Sequence, residues 1–191
     1  MRKVTLSMNM TFDGFFNLDW MGKAPFTPDQ ELIDDTLAGM SGSYSAALVG
    51  YSFYAGMVPY WFNVENNPSS SESERAMARA VNNSRRIVIS RTEEKLEGKN
   101  AELLVVKSDT ELVEAITQLK QLEGPDLAVI GGVRTAQTFA RLGLLDEYNL
   151  LVHPVALGKG APVFTDRVDL RLVSVKAYPS GVMRVCYQPA Q

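Results

Sequence analysis

The segment that decides the fold is Leu127-Ala128-Val129-Ile130-Gly131-Gly132-Val133-Arg134-Thr135. Its apolar residues at 127–130 predict a short buried strand, Gly131-Gly132 predict a turn, and residues 135–142 predict a helix. Two glycines between a strand and a helix let the backbone approach a phosphate group. The helix start adds N–H groups and about half a positive charge. The alternative is a tight turn that only lets the strand and the helix pack together.

Strands and helices alternate on the N-terminal side of this segment. Strands are predicted at 3–8, 46–50, 86–90 and 103–106. Helices are predicted at 27–40, with Thr27 as its cap, at 76–81, and from Ser108 to the stop at Gly124-Pro125. After Gly143 the pattern changes to strands at 148–155, 170–177 and 182–188, the last two joined as a hairpin.

This order predicts an α/β fold in the form of a three-layer sandwich. Alternating strands and helices favour a mostly parallel sheet of about eight strands with flanking helices. The β-rich C-terminal part predicts antiparallel strands, including a hairpin, at one edge of that sheet. With 191 residues, the chain is expected to form a single domain over positions 1–191.

Composition excludes several classes of site. Nineteen basic and twenty-two acidic residues give a net charge of −3, which predicts no nucleic-acid partner. One cysteine and one histidine exclude an internal disulfide, a thiolate metal cluster and a multi-histidine metal site. An enzyme with so few reactive side chains is expected to take its reactivity from a cofactor.

A charge-free run at 36–64 raises the question of a membrane segment. Serines, glycines and Pro59 interrupt it, so the pattern favours a buried strand followed by an aromatic pocket wall, and no membrane partner. Residues 4–10 are too short and too polar for the core of a signal peptide. These features, with the single cysteine, predict a soluble, cytoplasmic protein.

Two more strand ends carry residues that suit a nucleotide. Ser90 ends the predicted strand at 86–90 and Arg91 follows it, and arginine binds phosphate oxygens with two N–H groups. Gly50 ends the predicted strand at 46–50, and Ser52 comes two residues later. Ligands of α/β sheets bind at the carboxyl ends of the strands, so three such ends favour a dinucleotide. The alternatives are a solvated strand end and an aromatic core corner. The GxGxxG fingerprint is absent, so a different mode of binding is expected.

A family resemblance is carried by three stretches in the C-terminal half. They are Val129-Ile130-Gly131-Gly132, Leu144-Leu145-Asp146-Glu147-Tyr148-Asn149-Leu150 and His153-Pro154-Val155-Ala156-Leu157-Gly158-Lys159-Gly160-Ala161-Pro162-Val163-Phe164. Together with Ser7-Met8 and Asp13-Gly14 near the start, they resemble the dihydrofolate reductase-like superfamily. The most similar part of it is the C-terminal reductase domain of the bifunctional riboflavin-biosynthesis deaminase/reductase and its stand-alone relatives. The order of elements extends the resemblance over nearly the whole chain.

The resemblance implies an oxidoreductase that binds NADPH and transfers hydride to a heterocycle. It places the pyrophosphate at Gly131, Gly132, Val133, Arg134 and Thr135. It places the adenosine ribose and its 2′-phosphate at Ser90 and Arg91 and a further cofactor contact at Gly50 and Ser52, and it puts Asp13 and Gly14 in the loop over the nicotinamide.

This chain departs from the family pattern at two positions. Tyr51 stands where the family usually has arginine, so preference for NADPH over NADH rests on Arg91, and NADH is the alternative cofactor. Ile130 stands where the pyrimidine reductases usually have glutamate.

Candidate substrate contacts lie mainly in the aromatic part of the chain. Trp20, Phe26, Met57 and Trp61 are expected to help form an apolar slot for a small planar molecule. Asp29 is the acid expected beside it, and Asp13 is the candidate catalytic acid. The alternatives are ordinary packing for the apolar residues and helix capping for Asp29. His153 is expected to be structural, and no metal ligand is predicted.

Three functions therefore follow from the sequence. The first is an NAD(P)H-dependent reductase of a small planar acceptor, such as a pteridine or pyrimidine. The others are a ligand-binding module without turnover and a riboflavin-pathway pyrimidine reductase. The C-terminal strands also predict a homodimer.

Overall fold

The structure is a computed structural model that describes residues 1–16, 29–40, 44–92, 95–96 and 98–190. These residues contain ten strands, most of which are runs rich in aliphatic and β-branched residues. The strands are β1 (Val4–Thr11), β2 (Phe15–Phe16), β3 (Tyr44–Gly50), β4 (Arg86–Ser90), β5 (Ala101–Val105), β6 (Asp126–Gly131), β7 (Glu147–His153), β8 (Ala161–Pro162), β9 (Leu170–Ala177) and β10 (Met183–Pro189). The helices are α1 (Gln30–Met40), α2 (Tyr51–Asn66), α3 (Glu72–Asn83), α4 (Asp109–Gln121) and α5 (Val133–Arg141).

Eight of these strands form one sheet in the order β5-β4-β3-β6-β1-β7-β10-β9, while β2 and β8 pair separately. The five pairings from β5 across to β1 and on to β7 are parallel, and β10 and β9 are antiparallel additions. The predicted α/β sandwich with a mostly parallel eight-stranded sheet is thus confirmed. One detail differs, because β7 pairs parallel to β1 and the antiparallel part begins only at β10.

Both faces of the central strands are buried, which explains why these strands are continuously apolar. Leu6, Leu48 and Leu127 are fully buried in the larger cluster, together with Phe139 of α5. A second cluster lies under α2 and α3 and contains Val88. The sheet is therefore held between helix layers, and its strand ends are fixed in position.

Helix α2 was not predicted from the sequence. The sequence predicted an aromatic pocket wall after the strand at 46–50, in the charge-free run that ends at residue 64 and contains Pro59. The structure shows a helix with Pro59 inside it and with Tyr54, Met57 and Trp61 packed against the core. Their spacing of three and four residues places them on one helix face, and this apolar face stabilises the helix.

The helix starts agree with capping chemistry. Ser108 accepts a hydrogen bond from the N–H of Glu111 at 3.1 Å, as expected for the start of α4. Asp29 performs this role for α1, accepting from the N–H of Leu32 at 2.9 Å. Thr27, the predicted cap, lies outside the described residues. No helix in the described part of the chain has both the length and the apolar character needed to cross a bilayer.

Candidate functional site

Three adjacent parallel strands end at one side of the sheet, and a cavity of about 700 Å³ lies there. In register, Val49 of β3 pairs with Gly131 of β6, and Gly50 pairs with Ile89 of β4. The lining residues come from these strand ends, from the helices that follow them and from β2 and β8: Phe16, Gly50, Tyr51, Ser52, Phe53, Ile89, Ser90, Arg91, Thr92, Val106, Leu112, Gly132, Val133, Arg134, Thr135, Thr138, Phe139 and Ala161. The structure therefore brings together Gly50, Ser52, Ser90, Arg91 and the helix start at 132–135, whereas Gly131 does not line the cavity.

Two helix N-termini open into this cavity. Gly50 is the N-cap of α2 and Gly132 is the N-cap of α5, and no side chain caps either helix. They lie close together, because a Cβ added to Gly50 would be 2.4 Å from Oγ1 of Thr135. Each start contributes about half a positive charge, so the two together favour an anion.

The backbone at the start of α5 has room for that anion. The N–H groups of Thr135 and Ala136 both donate to the carbonyl oxygen of Gly132, at 2.9 and 3.1 Å. Within the described residues, the N–H groups of Val133 and Arg134 donate to no protein acceptor. Such unbonded N–H groups at a helix start form a site for phosphate oxygens.

The glycine pair also has a packing role. The peptide bond between Gly131 and Gly132 is cis, and Gly131 has a φ of 150°. A Cβ at Gly131 would lie 2.7 Å from the ring of Phe53, and one at Gly132 would lie 3.1 Å from the Phe53 Cβ. Both interpretations of the glycines therefore have structural support, since they let α2 pack closely and leave the start of α5 open.

Arg91 has a partner that the sequence did not indicate. Its guanidinium is ion-paired with Asp109 in the first turn of α4, and Asp109 also accepts from Nη2 of Arg141 at 2.6 Å. Hydrogen bonds from Arg141 and then Arg91 lower the pKa of Asp109. One carboxylate thus holds two arginines beside the cavity.

Aromatic and aliphatic side chains line another part of the cavity. The rings of Phe16 and Phe53 have centroids 6.3 Å apart, and Phe139 is fully buried. The pairing of β2 with β8 brings Ala161 beside Phe16. Sequence reasoning missed Phe16, Phe139 and Ala161. Phe53 is next to Ser52, which the sequence placed just after the strand at 46–50, and this position was the available signal.

Asp13 and Gly14 lie in the turn after β1 and do not line the cavity. The Asp13 carboxylate accepts hydrogen bonds from Oγ1 of Thr11 at 2.5 Å, from the N–H of Gly158 at 2.7 Å and from the N–H of Leu157 at 3.2 Å. These bonds, from Thr11 first and Gly158 next, lower its pKa. Asp13 therefore fixes the loop before β8, and its catalytic role stays a prediction from the sequence.

The aromatic slot expected for a substrate is not formed by the described residues proposed for it. Met57 is on the buried face of α2, in the hydrophobic cluster that contains Val88, and Trp61 packs against the same cluster. The Asp29 carboxylate accepts from the N–H of Ser180 at 2.9 Å in addition to capping α1. None of the three lines the cavity, because each is held by neighbouring elements. Trp20 and Phe26 lie outside the described residues.

His153 lies in the core and away from the cavity lining. Its Nε2–H donates to Oδ1 of Asn9 across the neighbouring strand at 2.8 Å. Burial lowers its pKa to about 4, so the imidazole is neutral at pH 7. Among the described residues, no group of three or more His, Cys, Asp or Glu is placed to hold a metal ion.

The sequence matches the model of a known protein family. The model of the RibD C-terminal domain matches residues 2–184. The chain belongs to the RibD C-terminal domain family. The match covers nearly all of the chain, and it confirms the resemblance predicted from the sequence.

The chain is also similar to individual proteins. The uncharacterized protein YyaP of Bacillus subtilis (strain 168) is 27% identical over 197 residues, covering 97% of this chain and 94% of YyaP. A pyrimidine reductase-like protein of Corynebacterium diphtheriae has a TM-score of 0.65 at 12% identity, covering 100% of this chain and 92% of that one.

A third relative is larger than this chain. It is the diaminohydroxyphosphoribosylaminopyrimidine deaminase/5-amino-6-(5-phosphoribosylamino)uracil reductase of Thermotoga maritima, which has a TM-score of 0.65 at 21% identity. The match covers 99% of this chain and 57% of the Thermotoga chain. These two structural likenesses show a shared fold.

Proposed function

We propose that this RibD C-terminal domain is an NADPH-dependent reductase that accepts NADH as an alternative and transfers hydride to a small planar acceptor. The observation that carries the proposal is the pair of uncapped helix starts at Gly50 and Gly132, which face one cavity. A dinucleotide carries a diphosphate, and two converging N-termini suit its charge. The cavity volume of about 700 Å³ is within the usual range for ligand sites.

Each part of the cavity has a proposed task in this reaction. The N–H groups of Val133 and Arg134 hold the diphosphate, and Ser90 and Arg91 bind the adenosine ribose and its 2′-phosphate. The bound cofactor supplies the hydride. Phe16 and Phe53 exclude water from the reacting end of the cavity, which strengthens the electrostatic interactions there. The chain's main contribution is to fix the reactants in a productive orientation.

The test is to mix the purified protein with NADPH or NADH and measure a thermal shift. We expect either dinucleotide to raise the unfolding temperature, because a ligand that binds only the folded state stabilises it. No shift with either would refute the proposal. Binding followed by no oxidation of NADPH with any pteridine or pyrimidine acceptor would favour the ligand-binding module predicted as an alternative.

A second candidate function is the riboflavin-pathway reduction itself. Family membership and the uracil reductase of Thermotoga maritima support it. Incubation with NADPH and 5-amino-6-(5-phosphoribosylamino)uracil should then consume both compounds. If this pyrimidine is left unchanged while another planar acceptor is reduced, the first proposal stands alone.

We also propose that the protein is a homodimer in the cytoplasm. Strand β9 is an edge of the sheet, and Leu172, Val173 and Val175 on it are 50%, 48% and 52% exposed. An edge strand with apolar side chains offers unpaired backbone groups to another strand. A second copy of β9 related by a two-fold axis would cover the apolar side chains and pair with the free backbone groups.

A further inference from the structure

We infer that Asp109 is a specificity-determining residue that weakens the binding of a 2′-phosphorylated dinucleotide. This inference rests on the proposed function, because it concerns the adenosine part of the same cavity. Arg91 lines the cavity, and its guanidinium is bound to the Asp109 carboxylate. The group best suited to bind a 2′-phosphate is therefore already occupied.

The arrangement around Asp109 makes it a competitor of that phosphate. Its two carboxylate oxygens bind two different arginines, Oδ1 with Arg91 and Oδ2 with Nη2 of Arg141 at 2.6 Å. Two positive charges and one negative charge leave a net charge of +1. Without Asp109, the same two guanidinium groups would present +2 to a phosphate that carries close to two negative charges.

The partners are exposed enough for this exchange to occur. The side chains of Arg91 and Arg141 are 47% and 48% exposed, and that of Asp109 is 37% exposed. Ion pairs in such surroundings are weak, so a phosphate can displace the carboxylate. The displaced carboxylate nevertheless stays in the first turn of α4 and repels the incoming phosphate.

Tyr51 at the start of α2 increases the importance of this pair. It lines the cavity and carries no charge that could replace Arg91. Discrimination between phosphorylated and unphosphorylated riboses then depends on how far Arg91 and Arg141 are released from Asp109. Wild-type protein should consequently favour NADP⁺ over NAD⁺ by less than a variant that lacks the Asp109 carboxylate.

The test compares binding of NADP⁺ and NAD⁺ to wild type and to Asp109→Asn by calorimetry, and repeats it with the fragments 2′,5′-ADP and 5′-ADP. We expect the variant to bind NADP⁺ and 2′,5′-ADP about tenfold more tightly, the usual effect of one charge-assisted hydrogen bond. Binding of NAD⁺ and 5′-ADP should change less than about twofold. Glu114→Gln is the matched control, because Glu114 is exposed on the same helix and has no ion pair with a described residue. It should change neither ligand.

Three outcomes are distinguishable. A selective gain for the phosphorylated ligands in Asp109→Asn supports the inference. Equal changes for both ligands, or no change, would overturn it and leave the proposed function intact. If wild-type protein binds none of the four ligands, the proposed function fails and the inference fails with it. Should Asp109→Asn be unfolded by circular dichroism, Asp109→Ser tests the same point, because it removes the same carboxylate and should selectively strengthen the binding of the phosphorylated ligands.

Discussion

Gly50 is packed closely against the start of the neighbouring helix α5. A Cβ there would be 2.4 Å from Oγ1 of Thr135, so Gly50→Ala should force the start of α2 away from α5. We expect this variant to lose about 1–3 kcal/mol of unfolding free energy, as overpacked sites do, and to lose dinucleotide binding. Chemical denaturation and calorimetry measure the two effects.

Gly56→Ala is the control for this substitution. Gly56 lies in the middle of α2 and has no neighbour within 4 Å of an added Cβ. The unfolding free energy of this variant should rise by about 0.5–1 kcal/mol, because alanine is favoured over glycine in a helix interior. The pair Gly50→Ala with Thr135→Ala should recover much of the lost stability. A Gly50→Ala variant as stable as wild type would show that this close approach is absent.

His153 gives the protein a specific dependence on pH. Burial lowers its pKa to about 4 from an ordinary 6.5, so the unfolded chain binds more protons between these values. The stability contributed by neutral His153 is complete above pH 6.5 and is lost as the pH falls towards 4, by about 3 kcal/mol.

The chain has one histidine, so this effect can be assigned without ambiguity. A proton NMR titration should show a single imidazole that titrates near pH 4 in the folded protein. His153→Gln should flatten the stability profile between pH 6.5 and 4. An imidazole that titrates near 6.5 would contradict the buried, neutral state.

At the scale of elements, the start of α5 determines anion binding. Arg134→Glu places a carboxylate in the first turn of the helix, beside the unbonded N–H groups. It should reduce affinity for NADP⁺ at least about tenfold by charge repulsion, while helix stability is unchanged or rises by about 0.3–1 kcal/mol. Arg79→Glu makes the same change of charge at an exposed position of α3. Arg79 does not line the cavity, so this variant should have little effect on dinucleotide binding. Equal losses in both variants would indicate a general charge effect.

Most strands were predictable because a local pattern of apolar and β-branched residues marks a buried strand in the sequence. Strands β4 and β9 begin and end at the predicted residues, since apolar or β-branched runs are bounded by turn residues in both cases. Helix α2 was missed because Pro59 opposes a helix locally, whereas packing of Tyr54 and Met57 on the core outweighs that cost. Local preference and tertiary packing conflict there.

Parts of the cavity lining were predictable where a residue ends a strand or directly follows one. Gly50, Ser90 and Gly132 satisfy that rule because parallel strand ends share one edge of the sheet. The pairing of Asp109 with Arg91 and Arg141 was not predictable, since it joins residues that are 18 and 32 positions apart in the chain. Phe16 was missed for the same reason, because only the pairing of β2 with β8 brings it to the cavity.

For the whole molecule, the exposed β9 edge leads to a prediction about mass in solution. Light scattering should give twice the chain mass of 21.1 kDa. Val175→Lys should give monomers, because a charge on an edge strand opposes pairing with a second copy. Val105→Lys is the control, since Val105 lies on β5 at the opposite edge and should leave the mass doubled. Wild-type monomers at micromolar concentration would refute the homodimer.

The proposed reductase function depends on one contact between the chain and a dinucleotide. The most direct measurement is a crystal structure of the protein with NADP⁺. We predict that the diphosphate oxygens accept hydrogen bonds from the N–H groups of Val133 and Arg134, within about 3 Å, between the starts of α2 and α5. A dinucleotide bound elsewhere, or these N–H groups bonded to protein atoms with no anion beside them, would contradict the account.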